Sequence, residues 1–370
     1  MPINFDIQQF SLWDKLKDKQ APLSFDLEVT ARCNNNCRHC YINLPASDKK
    51  AKDKELNLAE IESIAGQAAE MGAVWCLITG GEPLLREDFV EIYLMLKRKG
   101  LLVSVFTNAT LIKSEHIDLF KKYPPHDIEA TAYGASRQTY ERVSRKFGSY
   151  TAFIRGLDGL FDAGVKVHLK AMALRSNLLE MEAIAAFCRS RTKNDYRFDP
   201  QLHLRYDGDS LRNAEIQAER LTPEEIVVLE RADVERFGAM QLHCDTLIND
   251  VFTHNGCDHL FHCRAGIGSF SVGYDGTFRL CSALWAPGTT VNLRQTSLRT
   301  AWETLTPRVR DMRSNNPEYL NTCLKCPIIN LCLHCAAVTH LETGAMDGAT
   351  PYFCQVAHSR AAALQEHTSA

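Results

Sequence analysis

Cys33, Cys37 and Cys40 stand in RCNNNCRHCY with three and then two residues between them, directly after LSFDLEVT (residues 23–30), which reads as a strand. Three thiols this close together at a strand end constrain the chain more than any other feature. Their thiolates can hold three irons of a 4Fe-4S cube and leave the fourth iron open to a small-molecule ligand. Zinc is the competing reading, with His39 as a fourth donor.

The chain has fourteen cysteines. Its opening, MPINFDIQQFSLWDKLKDKQ, mixes charges among apolar residues, unlike a secretory signal, and no run nears the roughly 18 apolar residues of a membrane span. A cytoplasmic location is expected, and there so many thiols point to metal or redox chemistry rather than disulfides. The net charge of -3 comes from 42 basic and 45 acidic residues spread along the chain. That spread offers no basic face for nucleic acid and no polybasic membrane anchor, so neither partner is expected.

After the first strand the sequence alternates. Leu58 to Met71 carries Leu58, Ile61, Ile64, Ala65 and Ala68 at helical spacing before Gly72, and VWCLIT (residues 74–79) reads as a buried strand. A helical stripe from Phe89 to Lys99 and a strand from Leu101 to Thr107 follow. The pattern continues through Ile112 to Phe120, Ile128 to Tyr133, Ala152 to Ala163, Val165 to Leu174, Leu178 to Cys188 and Phe198 to Tyr206. About six such units imply parallel strands with crossover helices, too few for a full eight-unit barrel. The expected fold is α/β, a partial (β/α)6 TIM-like barrel over residues 23–208, preceded by an extension (1–22). A charged helical bridge (209–256) leads to a small cysteine-rich α+β domain (257–370). That last segment has eight cysteines and a hairpin signal from Ser269 to Cys281, turning at Asp275-Gly276. Metal staples would offset its thin apolar pattern.

At Cys33, Cys37 and Cys40, with Thr79-Gly80-Gly81-Glu82-Pro83 after the second strand, the chain resembles the radical S-adenosylmethionine (SAM) superfamily. In that family the Gly-Gly-Glu turn allows close backbone approach and its carbonyls receive the methionine ammonium of SAM. The resemblance implies SAM contacts from Thr79, Gly80, Gly81 and Glu82, from Asn108 after the third strand, Tyr133 after the fourth, Lys170 in the fifth and Arg175 beyond it. His39 and Tyr41 flank the last cysteine ligand, near the place of the adenine; His39 stands where the family more usually has Tyr or Phe. The implied chemistry is reductive cleavage of SAM to a deoxyadenosyl radical that abstracts a substrate hydrogen.

Cys263, Cys281, Cys323, Cys326, Cys332, Cys335 and Cys354 resemble the seven-cysteine pattern of SPASM domains, and Cys257 adds an eighth thiol. The resemblance implies two auxiliary 4Fe-4S clusters, one on Cys257, Cys263, Cys281 and Cys335, the other on Cys323, Cys326, Cys332 and Cys354. With the SAM-binding cluster the total is three. The Cys332-x2-Cys335 gap is one residue shorter than the family's usual spacing, and a zinc ribbon on Cys323, Cys326, Cys332 and Cys335 is the rival. Cys76 and Cys188 are read as small buried hydrophobes, whereas Cys244 lies beside the domain boundary and keeps a functional reading open.

Members with this domain mostly modify peptides, so an oxidation or crosslink in a ribosomally made peptide is the first expectation. The sulfatase-maturing branch places an aspartate base after the third cysteine of this domain; Ser282 occupies that position here and cannot serve as such a base at neutral pH. Tyr274 and Asp275 are the nearest alternatives to Ser282 as catalytic groups. Only some 22 residues precede the first strand, so a separate peptide-binding protein or a small-molecule substrate is anticipated. Porphyrin or redox-cofactor biosynthesis stays open, as do sulfatase maturation, ranked below a peptide maturase, and a non-catalytic electron carrier. The electron donor is expected to be a flavodoxin or ferredoxin.

Overall fold

The computed structural model describes residues 21–194, 196–248, 258–332 and 334–368. Cys257 and all but two residues of the expected N-terminal extension lie outside the described residues.

In β1 (Ser24–Thr30) the alternation of a strand separates two faces. Phe25, Leu27 and Val29 join the main apolar core, while Asp26, Glu28 and Thr30 point to the other side. Parallel neighbours follow in sequence order: β2 (Trp75–Gly80), β3 (Leu102–Thr107), β4 (Asp127–Thr131), β5 (Val167–Met172) and β6 (Arg197–Asp199). Their crossovers carry α1 (Leu58–Glu70), α2 (Phe89–Arg98), α3 (Ser114–Lys122), α4 (Arg137–Ser144), α5 (Ser149–Asp162) and α6 (Met181–Arg191). The stripe Ile61, Ile64, Ala65 and Ala68 of α1 is buried, its start is fixed by a capping box between Asn57 and Glu60, and Gly72 ends it at φ 106°. The six-strand open barrel anticipated from the alternation is the fold observed.

Two segments differ from expectation. The sixth strand stops at Asp199 instead of running to Tyr206, because Pro200 has no N–H for the ladder and Gln201 turns its own N–H onto the Asp199 carboxylate, 2.9 Å away. Helix α4 was not anticipated: RQTYERVS has only Tyr140 and Val143 as apolar anchors, and the Ser136 cap supplies the start that its periodicity does not.

The hairpin between Ser269 and Cys281 forms β7 (Ser269–Val272) and β8 (Thr277–Arg279), and it docks on the barrel. β7 pairs in parallel with the free edge of β1, Phe25 stacks on Phe270 at 5.4 Å, and β9 (Val291–Asn292) completes a nine-stranded sheet of order β9-β8-β7-β1-β2-β3-β4-β5-β6. α10 (Leu298–Arg310) covers this extension through Leu298, Ala301, Trp302 and Leu305, so barrel and cysteine-rich segment share one sheet and one core.

The charged stretch after the barrel forms α7 (Ser210–Glu219), α8 (Pro223–Ala232) and α9 (Val234–Leu242), and each buries a side chain. Ile216 packs with Val143, Leu174, Leu202 and Leu204. Val227 and Phe237 pack with Ala357, Ala361 and Leu364 of the last helix, which spans Pro351–Thr368. The buried Glu230 carboxylate takes Arg360 at 2.7 Å and Arg236 at 2.8 Å. These helices, expected as a bridge, are packed onto both the barrel and the C-terminal segment.

Candidate active site

The C-terminal ends of the parallel strands open into a cavity of about 320 Å³, the size range of small-molecule sites. The loop of Cys33, Cys37 and Cys40 forms one wall, the strand ends from Thr79 to Met172 another, and Asp199, Gln201, Leu202 and His203 with Ser282 complete the lining. Burial, followed by the neighbouring Cys40, pushes the Cys37 thiol up to about 12, and Cys33 is raised by burial and by Glu82. Crowded, buried thiols of this kind ionise only where a cation offsets their charge, which is the condition a metal cluster supplies.

The cysteine loop is held from outside the barrel. Arg212 on α7 donates to the Cys37 carbonyl at 2.8 Å and to Asn43 at 3.1 Å, and Arg205 donates to the Asn43 carbonyl at 3.1 Å. Asn108 points its amide at the Cys33 sulfur, 3.7 Å away.

The Gly80-Gly81 turn fits against this loop as only glycine can. A Cβ on Gly80 would lie 2.1 Å from the Thr30 carbonyl oxygen, and one on Gly81 would lie 2.3 Å from that of Arg32. The Gly81 N–H donates to Thr30 at 2.7 Å and the Glu82 N–H donates to Arg32 at 2.9 Å. Glu82 itself is fully buried behind the wall, and burial raises its carboxyl to about 7. It accepts from the Thr107 hydroxyl at 2.7 Å and the Asn108 N–H at 2.7 Å, fastening the turn to the end of β3.

The residues expected to contact SAM divide into two groups. His39, Tyr41, Thr79, Gly80, Gly81, Asn108, Tyr133 and Lys170 line the cavity. Burial lowers His39 to about 4, leaving a neutral ring 5.3 Å from Tyr133 with its Nδ1 unpaired. Lys170 pairs with Glu129 and lies 4.5 Å above the Phe106 ring. Glu82 and Arg175 do not line it: Glu82 acts from behind, and Arg175 turns outward after β5 to grip Glu225 on α8.

Of the three suggested catalytic groups, only Ser282 reaches the cavity. Tyr274 packs against Ala31, Ile42 and Ala51, and Asp275 accepts from the Thr277 N–H at 3.1 Å, so it serves the hairpin turn. Sequence reasoning passed over Asn35, Glu129, Asp199, Gln201 and His203, which also line the cavity. Glu129 was within reach, since strand alternation puts it on the same face as Thr131, the register partner of Lys170. The stretch from Gln201 to His203 carries no motif.

The C-terminal thiols fall into two neighbourhoods. Cys281 is pushed up to about 11 by burial, then by Cys335 and Cys263. Cys332 is pushed up to about 12 by burial, then by Cys354, Cys323 and Cys326. Cys335 and Cys281 pack against the main core, whereas Cys332 and Cys326 pack against the cluster of Val227 and Phe237, although Cys332 and Cys335 both line one small cavity. Among the described residues no three His, Cys, Asp or Glu side chains close around a point tightly enough to hold one metal ion. The fit to clusters rests instead on the chemistry of the donors and on the glycine cradle. Cys76 and Cys188 are buried in the main core, and Cys244 packs at the edge of the cluster formed by Val227 and Phe237.

An open parallel barrel with a cysteine triplet and a glycine cradle at its strand ends defines a class, and the comparisons agree with it. Residues 27–188 match the family model described as the Radical SAM superfamily. It is 30% identical over 168 residues to the Fe-coproporphyrin III synthase of Methanosarcina barkeri, covering 45% of this chain and 41% of that protein. It is 27% identical over 165 residues to the antilisterial bacteriocin subtilosin biosynthesis protein AlbA of Bacillus subtilis, covering 44% and 36%. The matched stretch thus spans less than half of either relative. In fold it resembles Streptococcus suis SuiB bound to the precursor peptide SuiA, with a TM-score of 0.70 at 15% identity over 93% of this chain and 78% of that one. Among the described residues no helix is long and apolar enough to cross a membrane.

Proposed function

We propose that the protein is a cytoplasmic radical SAM enzyme that modifies a ribosomally made peptide by oxidation or crosslinking, using one SAM-binding and two auxiliary 4Fe-4S clusters. The observation that carries the reading is the convergence of Cys33, Cys37 and Cys40 with the Gly80-Gly81 cradle on one cavity at the strand ends. The chemistry that the bound cluster and SAM supply is one-electron cleavage of the sulfonium bond, giving a deoxyadenosyl radical that takes a hydrogen atom from substrate. The chain's part is placement. Gly80 and Gly81 seat the turn against Thr30 and Arg32, where its backbone would receive the methionine group, Glu82 locks that turn to β3, and Tyr133 with His39 lines the cavity. Lys170, held by Glu129 over Phe106, offers a fixed cation to a carboxylate.

Cys257, Cys263, Cys281 and Cys335 are assigned to one auxiliary cluster, and Cys323, Cys326, Cys332 and Cys354 to the other, supported by the two thiol neighbourhoods. With four thiolates on each, both suit transfer of the electron left by substrate oxidation. The division into residues 23–208, 209–256 and 257–370 follows these roles. A flavodoxin or ferredoxin donor and a separate peptide-binding protein complete the proposal. Peptide chemistry is favoured because SuiB, similar along most of the chain, is a structure with a precursor peptide and AlbA is a bacteriocin biosynthesis protein. Chemistry on a porphyrin is the second reading, favoured by the 30% identity to a coproporphyrin enzyme.

The test is iron, sulfide and deoxyadenosine analysis of anaerobically reconstituted protein beside a Cys33, Cys37, Cys40 triple alanine variant. About twelve irons falling to about eight, with loss of deoxyadenosine, is the expected result; cleavage of SAM by the triple variant overturns the proposal.

A further inference from the structure

Three consecutive asparagines follow Cys33, and the fold treats them differently. Asn34 donates to the Thr110 hydroxyl at 2.8 Å and accepts from Asn108 at 2.9 Å. Asn36 is exposed, with its backbone N–H on the Ser144 carbonyl at 2.9 Å. Asn35 is 4% exposed and lines the cavity beside the three cysteines, yet neither its Oδ1 nor its Nδ2 has a partner. A buried amide unpaired at both ends is unfavourable enough that native proteins seldom keep one without a bound group to complete it. In the local turn Asn35 uses its backbone N–H, which donates to the Cys33 sulfur at 3.4 Å.

We infer that the Asn35 side-chain amide is a hydrogen-bond donor to the sulfur of the cluster held by Cys33, Cys37 and Cys40, and that it sets how readily that cluster is reduced. The inference rests on the three-thiolate reading above. A sulfur-rich cluster presents acceptors on every face, and its reduction potential depends on the N–H groups directed at them. Reduction adds negative charge, so a fixed donor dipole favours the reduced state. Asn35 acts here as a positioning residue with an electrostatic effect, and the loop offers a second donor of the same kind in Asn108, 3.7 Å from the Cys33 sulfur.

The test uses the full chain, anaerobically reconstituted, as wild type, Asn35→Leu and Asn35→Asp. Iron content, SAM binding and the midpoint potential of the cluster signal that SAM perturbs are measured by redox titration followed by electron paramagnetic resonance, with the potential read before SAM is added. With wild-type iron content, Asn35→Leu is expected to lower the reduced-to-oxidised ratio about tenfold at a fixed potential, a downward shift of about 59 mV for one electron. Asn35→Asp, which keeps the shape, removes the donor and adds charge, is expected to shift further, and it carries the test if the leucine variant fails to hold its cluster. Unchanged potentials in iron-replete variants overturn the inference, and so does an unchanged potential with weakened SAM binding, which would place the amide on SAM. Absence of any SAM-perturbed signal in the wild type instead refutes the three-thiolate reading.

Discussion

Trp285 lies flat against Tyr206, with ring centroids 3.8 Å apart and planes 10° from parallel. On its other face is Arg279, 3.8 Å from the ring centroid and fully buried, with one nitrogen on Glu28 at 2.7 Å. Tyr206 comes from beyond β6 and Arg279 from β8, so this three-layer stack joins opposite edges of the open sheet. Trp285→Ala should cost about 2–3 kcal/mol, the sum of an aromatic pair and a desolvated cation–π contact. Trp285→Phe should recover part of the loss, since it restores a ring face. Denaturant unfolding under anaerobic conditions reads the difference, and a change below about 0.5 kcal/mol, typical of a neutral surface site, would show that the stack carries no closure.

Arg212 reaches from α7 to the Cys37 carbonyl, outside the motif it supports. Its replacement by methionine keeps the apolar stem and removes a charged donor worth about 1.5–3 kcal/mol. Iron should then leave the SAM-binding site roughly ten- to a hundredfold faster under a chelator, with the two proposed auxiliary sites unaffected. Equal loss from all three sites would mean that the variant has loosened the fold as a whole.

The grouping of the C-terminal thiols separates clusters from a zinc ribbon. On the proposed assignment of the two cysteines to different cubes, Cys335→Ala and Cys354→Ala should each remove about four irons, and the double variant about eight. Metal analysis of the three proteins decides it. Zinc in the wild type, lost on Cys335→Ala, would return Cys335 to the Cys332 set.

Glu180 accepts from the Ser136 hydroxyl at 2.6 Å, the Thr139 hydroxyl at 2.6 Å and the N–H groups of Ala135 and Ser136 at 2.9 and 3.0 Å. Burial alone would raise its carboxyl, but these four bonds outweigh it and hold the group below its ordinary value of 4.5. A depressed folded value contributes stability above the unfolded one and loses it as pH falls through the folded one. Wild type should therefore exceed Glu180→Gln in stability at pH 7, and the gap should close below about pH 4.5. A gap independent of pH in parallel unfolding curves would remove the carboxylate's charge from the account.

The barrel was legible because its signals are local. Apolar residues at helical spacing in α1 and α2, the glycines that end them and the motif cysteines each act within a few residues of themselves. Arg205, Arg212 and His203 were not legible, because their roles depend on how the chain folds back after β6, and no short-range pattern encodes a hydrogen bond across 175 residues such as that from Arg212 to Cys37. Arg175 misled for the same reason: a cation just past a strand end suggested a cavity contact, and α8 offered Glu225 instead. The docking of the hairpin was hidden as well, since alternation marks a strand without naming its neighbour.

The parallel pairing of β7 with β1 sets an order of events for a growing chain. Ser271 meets Asp26 across 245 residues of sequence, so all six barrel strands and the first cysteine triplet are made well before the strand that covers the Phe25 edge. Until then β1 presents unpaired N–H and carbonyl groups beside an uncovered aromatic ring, the kind of edge that recruits strands from other molecules. Closing so distant a contact is also slow. Truncation before residue 269 therefore leaves that edge permanently open, and yield and solubility on expression will depend on the hairpin as much as on the metal supply.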